Sequence, residues 1–400
     1  MREMRRASLG GDESDGVPVD TIVCLSITEW SAMQQNSHHL MREAARRGYR
    51  VLYVDPVGLR RMKFRRTDLK KLGRRLRQSM QPVVSVEDRI TRLAPVGIPV
   101  QDTTVGSAVN RRLLAVQVRR ALKRICARRS VLWSYTPHLL ELHPAIGSDL
   151  ALYYRVDDYT TSPYINSDYV MRQEARAVAL ADLCVAANRQ SAQVMKDARA
   201  RILVPNGIDV AIYREEPRRA DPLPAIGHPR LLFTGTLDTW VDLQLVQGLA
   251  LLHPEWQIVL AGEEKIALDG VCSLPNAHYL GLLPYAELPT LMSHCDIGLV
   301  PYHVNQFTTS ASIGKIYQYL AMGLPVVSTP VLDVSDYGNY VSLAPTDATG
   351  FAHVVESLLS EDSREKRRMR RGFGLEQSWS ARFDVLENEI RRLLLRQPVG

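Results

Sequence analysis

Two polar residues at helical spacing, Lys315 and Gln318, have the clearest capacity for chemistry in this 400-residue chain. They lie in residues 308–329, TTSASIGKIYQYLAMGLPVVST, where the pattern predicts a loop, an amphipathic helix with Lys315 near its start, and a buried strand. Residues three apart share one face of a helix. Because a lysine ammonium and the free N–H groups of a helix N-terminus attract the same anion, the segment predicts a diphosphate site. A βαβ crossover with a surface lysine is the alternative interpretation.

Glycine and hydroxyl residues near other predicted strands could complete such a site. Gly235 and Thr236 follow the predicted strand 230–234, where a glycine lets a phosphate approach the backbone and a hydroxyl can bond to it. Ser310 and Ser312 lie in the loop before the helix and could bond to sugar or phosphate groups. An ordinary glycine turn and a polar surface loop are the alternatives.

Two adjacent aspartates are the best candidates for a general base. Asp157 and Asp158 follow the predicted strand 150–156, and a carboxylate whose pKa is raised by burial or by a like-charged neighbour can accept a proton from a hydroxyl. The alternative is a strand-end turn, in which aspartate is favoured. His38 and His39, at the start of the first predicted helix, are rival bases that could instead bind the acceptor or cap that helix.

The elements that must position these residues form two similar βαβ series. Strand 21–27, helix 37–47 and strand 51–54 open the first series, and strand 230–234 restarts the pattern after a stretch rich in Pro, Arg and Glu. In open α/β sheets, ligands bind at the carboxyl ends of the strands. We therefore expect the candidate residues to line a cleft between two such sheets.

Residues 318–326, QYLAMGLPV, resemble the donor-nucleotide region of GT-B glycosyltransferases, which often reads Glu-Ala-Met-Ala-x-Gly-x-Pro-Val. The lysine three residues earlier is more similar to the xanthan glucuronosyltransferase and teichuronic-acid glycosyltransferase-like families. Residues 233–246, FTGTLDTWVDLQLV, resemble the second of these families. The resemblance covers about residues 20–395. It implies an α/β fold of the GT-B type, with two doubly wound Rossmann-like domains facing across a cleft.

Composition and the resemblance together divide the chain and suggest further donor contacts. The predicted parts are a disordered tail at 1–20, an N-terminal acceptor-binding domain at 21–213, a linker at 214–229, a C-terminal nucleotide-sugar-binding domain at 230–378, and a helix at 379–400 that crosses back to the first domain. By resemblance alone, Gly262, Glu263 and Leu280 contribute to the pocket for the base and ribose. Tyr302 is implied to border the donor sugar and diphosphate.

Two positions depart from the family pattern and bear on mechanism. Retaining GT-B enzymes usually carry two glutamates eight residues apart, and Ser310 and Gln318 occupy those positions here, which favours an inverting mechanism. No Asp-x-Asp motif stands at a strand end. Since a lysine can neutralise the leaving diphosphate, we expect no metal and no cofactor besides the nucleotide-sugar co-substrate.

Basic residues are concentrated in the first half of the chain. Residues 60–77 hold ten Lys or Arg and one Asp, and residues 111–129 hold eight and no acid, within a total net charge of +7. Leu114, Val118 and Leu122 recur at helical spacing among the second group. Both stretches predict contact with an anionic membrane surface. A solvated helix face is the alternative, and nucleic acid is a less favoured partner.

Composition also suggests a compartment. No apolar run reaches the roughly 20 residues of a membrane span, and the first 20 residues lack the apolar core of a signal peptide. The five scattered cysteines suit a reducing environment. We therefore expect a cytoplasmic protein that can lie on the inner face of the cell membrane.

The residues and the resemblance together predict a glycosyltransferase. It would move a hexose-type sugar from a nucleotide-diphosphate sugar to a hydroxyl of a glycan, a lipid-linked glycan or a natural product. Lys315, Gly235 and Thr236 would hold the diphosphate, Gln318 would contact the donor sugar or ribose, and one of the two aspartates would deprotonate the acceptor. A non-hydrolysing nucleotide-sugar epimerase and a non-catalytic GT-B scaffold are the alternatives.

Overall fold

The computed structural model describes residues 19–32, 34–56, 83–96, 104–158, 160, 167–214, 220–331 and 334–396. Most of the tail predicted at 1–20 and the basic stretch predicted at 60–77 lie outside these ranges.

Eight strands form the first sheet. They are β1 (Thr21–Leu25), β2 (Arg50–Val54), β3 (Val83–Glu87), β4 (Ile90–Leu93), β5 (Ser130–Ser134), β6 (Leu150–Arg155), β7 (Leu183–Ala186) and β8 (Arg201–Leu203). Their order is β3-β4-β2-β1-β5-β6-β7-β8, and every neighbouring pair is parallel except β3 and β4 at one edge. The central strands are buried along their whole length, as apolar strands covered on both faces must be.

Helices cover both faces of this sheet. In chain order they are α1 (Asn36–Arg46), α2 (Thr104–Arg124), α3 (His143–Ile146), α4 (Ser167–Leu180) and α5 (Arg189–Val194). Leu40 and Met41 of α1 pack in the core on one face. Leu114 and Val118 of α2 pack in the core on the other face, together with Ala177 of α4. The apolar residues that recur at helical spacing in α2 therefore face inward.

Six parallel strands form the second sheet. They are β9 (Arg230–Thr234), β10 (Gln257–Ala261), β11 (Ala277–Tyr279), β12 (Ile297–Val300), β13 (Val326–Ser328) and β14 (Val341–Leu343). Their order is β11-β10-β9-β12-β13-β14. This is the order of a doubly wound nucleotide-binding sheet, in which the strand order reverses between the first and fourth strands, here β9 and β12. A ligand site is expected where these two strands end.

Seven helices accompany the second sheet among the described residues. They are α6 (Leu243–Leu252), α7 (Asp269–Cys272), α8 (Leu288–Ser293), α9 (Gln306–Thr309), α10 (Lys315–Ala321), α11 (Ala348–Glu361) and α12 (Arg364–Glu376). All six strands and most of these helices contribute to one continuous apolar core. The second sheet therefore has its own core, separate from those of the first.

The last described helix, α13 (Trp379–Arg396), returns to the first sheet. Phe383 lies in the same core as the first-sheet strands. On the helix surface, Arg47 forms ion pairs with Asp384 at 2.6 Å and with Glu387 at 2.9 Å. Apolar burial and ion pairs thus join the end of the described chain to its beginning.

All five cysteines are free thiols, and Cys24, Cys184 and Cys295 are buried. Within the described residues, no helix combines the length and the hydropathy that crossing a membrane requires.

Candidate functional site

Two glycine turns meet at the carboxyl edge of the second sheet, and the first of them ends β9, beside which the strand order reverses. Gly235 follows β9 with φ +127°, and Gly262 follows β10 with φ +153°, backbone conformations that residues with a Cβ rarely adopt. A Cβ on Gly262 would lie 1.9 Å from the Gly235 carbonyl oxygen, so only glycine lets the two turns pack together. Their N–H groups donate to the Ala261 and Gly281 carbonyl oxygens, each at 2.8 Å. The two glycines therefore leave space for a ligand, but their N–H groups already donate to carbonyl oxygens of the protein.

Lys315, the first residue of α10, extends over the Gly235 turn. A Cβ on Gly235 would lie 2.6 Å from Lys315 Nζ. The same Nζ lies 4.0 Å from the ring centroid of Phe233 and 5.1 Å from that of Tyr302. In the part of the chain that the structure describes, no carboxylate pairs with this ammonium and no acceptor takes a hydrogen bond from it. Two aromatic faces hold the cation, and its N–H groups are left to an external anion.

Burial lowers the pKa of Lys315 to about 7. Withdrawing an ammonium from water disfavours its charged form, and no described carboxylate offsets that cost. A phosphate bound beside Nζ would favour the charged form and raise the pKa again. The charge on Lys315 is therefore coupled to the presence of an anion.

The other predicted donor residues differ in how closely they approach this lysine. Tyr302 contacts it directly through its ring. Thr236 is next to Gly235 in the chain, and its hydroxyl makes no hydrogen bond with another described residue. Glu263 follows the second glycine turn and pairs with Lys265. Leu280 adjoins the same turn and donates its N–H to Leu260 at 2.9 Å.

Gln318 lies one turn further along α10 and is partly exposed. Its Nε2 donates to the hydroxyl of Tyr285 at 3.4 Å. Tyr285 is itself 41% exposed. The amide is therefore weakly held at the solvent side of the site and can exchange this partner for a ligand.

Ser310 and Ser312 hold the two halves of the chain together. Asn188 of the first half donates to the Ser310 carbonyl oxygen, and Ser310 Oγ donates to the Phe307 carbonyl at 2.9 Å. Asn206 Nδ2 donates to the Ser312 carbonyl oxygen at 3.0 Å, and Asn206 N–H donates to Ser312 Oγ at 3.3 Å. Since the two asparagines follow β7 and β8, the carboxyl ends of the two sheets face each other here. Neither Asn188 nor Asn206 was predicted to be a contact residue.

A pocket of about 220 Å³ lies beside this contact and has walls from both halves. Arg189 and Pro205 belong to its first-half wall, and Tyr317 and Asp336 belong to its second-half wall. Arg189 Nε and Asp336 Oδ1 pair at 2.8 Å. Space for part of a ligand therefore remains between the two sheets.

Arg155, at the end of β6, engages one of the two candidate bases. Its guanidinium pairs with Glu174 at 2.7 Å and with Asp158 at 3.1 Å, and all three residues are buried. Burial alone would raise the pKa of Asp158, but hydrogen bonds from Thr160 and the charge of Arg155 lower it overall. Asp158 is therefore a committed ion-pair partner and a weak proton acceptor.

Asp157 differs from its neighbour in every respect that matters for a base. It is partly exposed and makes no ion pair or hydrogen bond with the rest of the described chain. Burial raises its pKa, while the Arg155 charge opposes that shift and the Asp158 charge adds to it. A carboxylate with free oxygens and a raised pKa is suited to general-base catalysis. Of the two predicted aspartates, the structure favours Asp157.

The two histidines are engaged in the fold. His38 is buried; its Nδ1 accepts from Gln35 N–H at 3.1 Å and its Nε2 lies 3.2 Å from the Glu29 carbonyl oxygen. Burial lowers the pKa of His38. His39 stacks on Trp379 at 4.9 Å between ring centroids, and burial lowers its pKa to about 4. With its ring nitrogens occupied, His38 supports the loop before α1 rather than offering a free proton acceptor.

Residues 228–361 match the family described as glycosyl transferases group 1. This range contains Gly235, Gly262 and Lys315, whereas the first sheet lies outside it. The similarity to this family therefore lies in the second sheet and includes the lysine site.

Curated relatives extend this finding. The chain is 24% identical over 190 residues to a teichuronic acid biosynthesis glycosyltransferase, TuaH, of Bacillus subtilis, a match that covers 45% of this chain and 48% of the relative. It is 26% identical over 183 residues to the glycogen synthase of Mycobacterium tuberculosis, covering 42% of each chain. The chain thus spans about half the length of the curated relatives it matches. The resemblance to teichuronic-acid-type glycosyltransferases is confirmed.

Solved structures confirm the fold over almost the whole chain. The E. coli trehalose-6-phosphate structure bound with UDP-2-fluoro glucose has a TM-score of 0.65 at 11% identity, covering 93% of this chain and 99% of that chain. An α,α-trehalose-phosphate synthase (UDP-forming) from Burkholderia xenovorans in complex with glucose-6-phosphate has a TM-score of 0.65 at 11% identity, covering 92% and 99%. The predicted GT-B fold, with two Rossmann-like sheets, is therefore confirmed.

Proposed function

We propose that this protein is a glycosyltransferase that moves a hexose-type sugar from a nucleotide-diphosphate sugar to a hydroxyl acceptor. The observation that carries the proposal is the ammonium of Lys315, held over Gly235 between two aromatic rings without an internal counter-charge among the described residues. It lies at the switch point of the second sheet, where nucleotides bind in folds of this kind. The UDP-2-fluoro glucose bound in the similar E. coli structure supports a nucleotide sugar as the ligand.

The donor contacts follow from this placement. Lys315 and the Thr236 hydroxyl hold the diphosphate, and Gln318 contacts the ribose or the transferred sugar. The turn that contains Gly262 and Glu263, with Leu280 beside it, borders the base and ribose. Gly235 is needed because any side chain there would displace the lysine.

The transfer step requires a base on the opposite side of the cleft. Asp157 accepts the proton of the acceptor hydroxyl as its oxygen bonds to the anomeric carbon of the donor. The bond from that carbon to the diphosphate breaks, and the leaving diphosphate takes the electron pair. Lys315 neutralises the developing charge. Direct displacement of this kind inverts the anomeric configuration.

We propose that the reaction is independent of a metal ion, since a cationic side chain serves the leaving group. Within the described residues, no group of three or more His, Cys, Asp or Glu side chains is arranged to hold a metal ion. Activity that survives EDTA and is not increased by Mg²⁺ or Mn²⁺ is expected.

A panel of UDP, GDP, dTDP, ADP and their glucose conjugates tests the donor site through thermal stabilisation. One nucleotide should raise the melting temperature of the wild type, and at the same concentration it should raise that of Lys315→Met much less. Turnover of the nucleotide sugar without an acceptor-dependent release of diphosphate would indicate an epimerase instead. The absence of any shift would contradict the nucleotide-sugar site and favour a scaffold.

The exposed face of α2 suits an anionic membrane surface, and we propose that it holds the enzyme near a lipid-linked acceptor. Arg119, Arg120 and Lys123 are exposed there, and no carboxylate among the described residues pairs with them. Leu113 and Val116 lie on the same face and are 41% and 36% exposed. Basic residues with interspersed apolar side chains bind such surfaces by charge and by shallow insertion.

Replacing Arg119, Arg120 and Lys123 together by glutamine should weaken vesicle binding by about 100-fold, since each basic residue contributes about 1 kcal/mol near an anionic surface. Cosedimentation with vesicles containing phosphatidylglycerol measures this effect, and added salt should reduce it. The matched control is the triple glutamine variant of Arg364, Lys366 and Arg368, exposed basic residues at the start of α12. Equal binding by the two variants would contradict the proposed surface.

A further inference from the structure

Two aromatic rings, the partly buried Trp240 and the exposed Phe307, form an apolar edge that the proposed donor contacts do not use. Their centroids lie 5.7 Å apart with the ring planes inclined by 42°. Phe307 is 42% exposed, and its neighbour Val304 is 47% exposed. We call Trp240, Val304 and Phe307 the aromatic ledge. Large apolar side chains left in water beside a ligand site indicate a surface that a ligand covers.

The ledge is continuous with the lysine site. The loop that carries Trp240 pairs with the loop after β12: His303 N–H donates to the Trp240 carbonyl oxygen at 2.9 Å, and Val241 forms an antiparallel bridge with Tyr302. The Tyr302 ring centroid in turn lies 5.1 Å from Lys315 Nζ. A molecule whose diphosphate contacts the lysine therefore has the ledge within reach of its next group.

The ledge also lies toward the first half of the chain. Phe307 belongs to α9, one turn before Ser310. The Ser310 carbonyl oxygen accepts from Asn188 of the first half. The ledge is thus one helical turn from a contact between the two halves of the chain.

Polar groups interrupt the ledge and indicate which ligand it fits. His303 is half-exposed, and its Nδ1 lies 3.4 Å from the Asp242 carboxylate. Asn305 caps α9 by accepting from Thr308 N–H at 3.1 Å. A hydrocarbon chain would require a continuous apolar surface. A pyranose ring has an apolar C–H face and a rim of hydroxyls, which matches rings flanked by polar side chains.

We infer that the aromatic ledge is a sugar subsite that binds the apolar face of a pyranose ring. The inference rests on the proposed function and adds a subsite to it. The sugar is either the transferred hexose of the donor or the terminal residue of the acceptor, since both lie between the diphosphate and the base during transfer.

Phe307→Leu tests the subsite because leucine keeps an apolar side chain and removes the ring, and Phe307→Tyr is the matched control that keeps the ring. Calorimetry with UDP, UDP-glucose, methyl glucoside and methyl mannoside supplies the readout. We expect UDP affinity to be unchanged in both variants. Only Phe307→Leu should lose affinity for a sugar, by about fivefold. The loss should affect UDP-glucose if the donor sugar occupies the ledge, and a methyl glycoside if the acceptor sugar does.

Two results would overturn the inference. One is a Phe307→Leu protein that binds every sugar probe as the wild type does, and the other is an equal loss for UDP and UDP-glucose, which would make the ring structural. Trp240→Leu provides a second test of the same surface if Phe307→Leu does not fold. A wild type that binds none of UDP, GDP, dTDP and ADP would contradict the donor site, whereas the methyl glycosides test the ledge independently.

Discussion

Asp157→Asn is expected to reduce the rate of sugar transfer by about 10²- to 10⁴-fold without changing donor affinity. Asparagine has the same size and cannot accept the proton of the acceptor hydroxyl. The measurement is release of nucleoside diphosphate from the donor that the binding panel identifies, with a methyl glycoside or water as the acceptor. Calorimetric titration of the same nucleotide checks that the donor site is intact.

The adjacent aspartate provides the control for this substitution. Asp158→Asn removes a buried partner of Arg155, so we expect a lower melting temperature and a rate per folded molecule close to that of the wild type. Loss of activity in Asp158→Asn together with wild-type activity in Asp157→Asn would reverse the assignment.

The pH profile supplies a second readout for Asp157. A base acts only when deprotonated, and burial raises the pKa of this carboxyl. The rate at saturating donor should therefore fall as the pH decreases through that raised pKa. Asp157→Asn should lack this acidic limb, because the group that titrates is absent.

Lys315→Met is expected to weaken binding of the donor by about 10- to 100-fold, since hydrogen bonds to a charged group contribute about 1.5–3 kcal/mol each. Methionine keeps an unbranched side chain over Phe233 and removes the charge. The folded state should not lose stability, because the ammonium has no counter-charge in the described structure and its burial is unfavourable. Calorimetry with the nucleotide sugar measures the affinity, and unchanged affinity would contradict the site.

The affinity of the wild type for the nucleotide sugar should also depend on pH. The pKa of Lys315 is about 7 in the free protein, and a bound diphosphate raises it. Below pH 7 the lysine is already protonated in both states, so affinity is constant. Above pH 7 binding must take up a proton, and affinity should fall by up to tenfold per pH unit until the pKa of the complex is reached. Lys315→Met should show no such dependence.

Much of the central sheet structure could be predicted from the sequence, since parallel strands covered on both faces are short apolar runs. The strand predicted at 230–234 occurs with the same bounds in the structure, and the strands predicted at 51–54 and 150–156 each differ by one residue at one end. The helix predicted around Lys315 begins at that residue. Three strands at or beside the sheet edges were not predicted. Apolar and polar residues are mixed in β3 and β4, and β14 has only three residues, so none of them is a clear apolar run.

The site was predictable only where one side chain acts alone. The role of Lys315 could be predicted from its place at the start of a glycine-terminated helix. The different roles of Asp157 and Asp158 depend on Arg155 and on Glu174, which is 19 residues after Arg155 in the chain. The use of Ser312 as a domain contact depends on Asn206, 106 residues away. Such pairings arise from tertiary packing, and a local pattern carries no signal for them.

The return of α13 to the first sheet affects how the protein folds while it is synthesised on the ribosome. The core of the first sheet includes Phe383, Leu386, Ile390 and Leu394. A nascent chain that has already extruded β1 to β8 therefore exposes an unfilled apolar surface throughout the synthesis of the second domain. At roughly 5–20 residues per second, that interval lasts on the order of ten seconds or more, during which chaperone binding and proteolysis compete with folding. The first domain to be translated is thus the last to be completed.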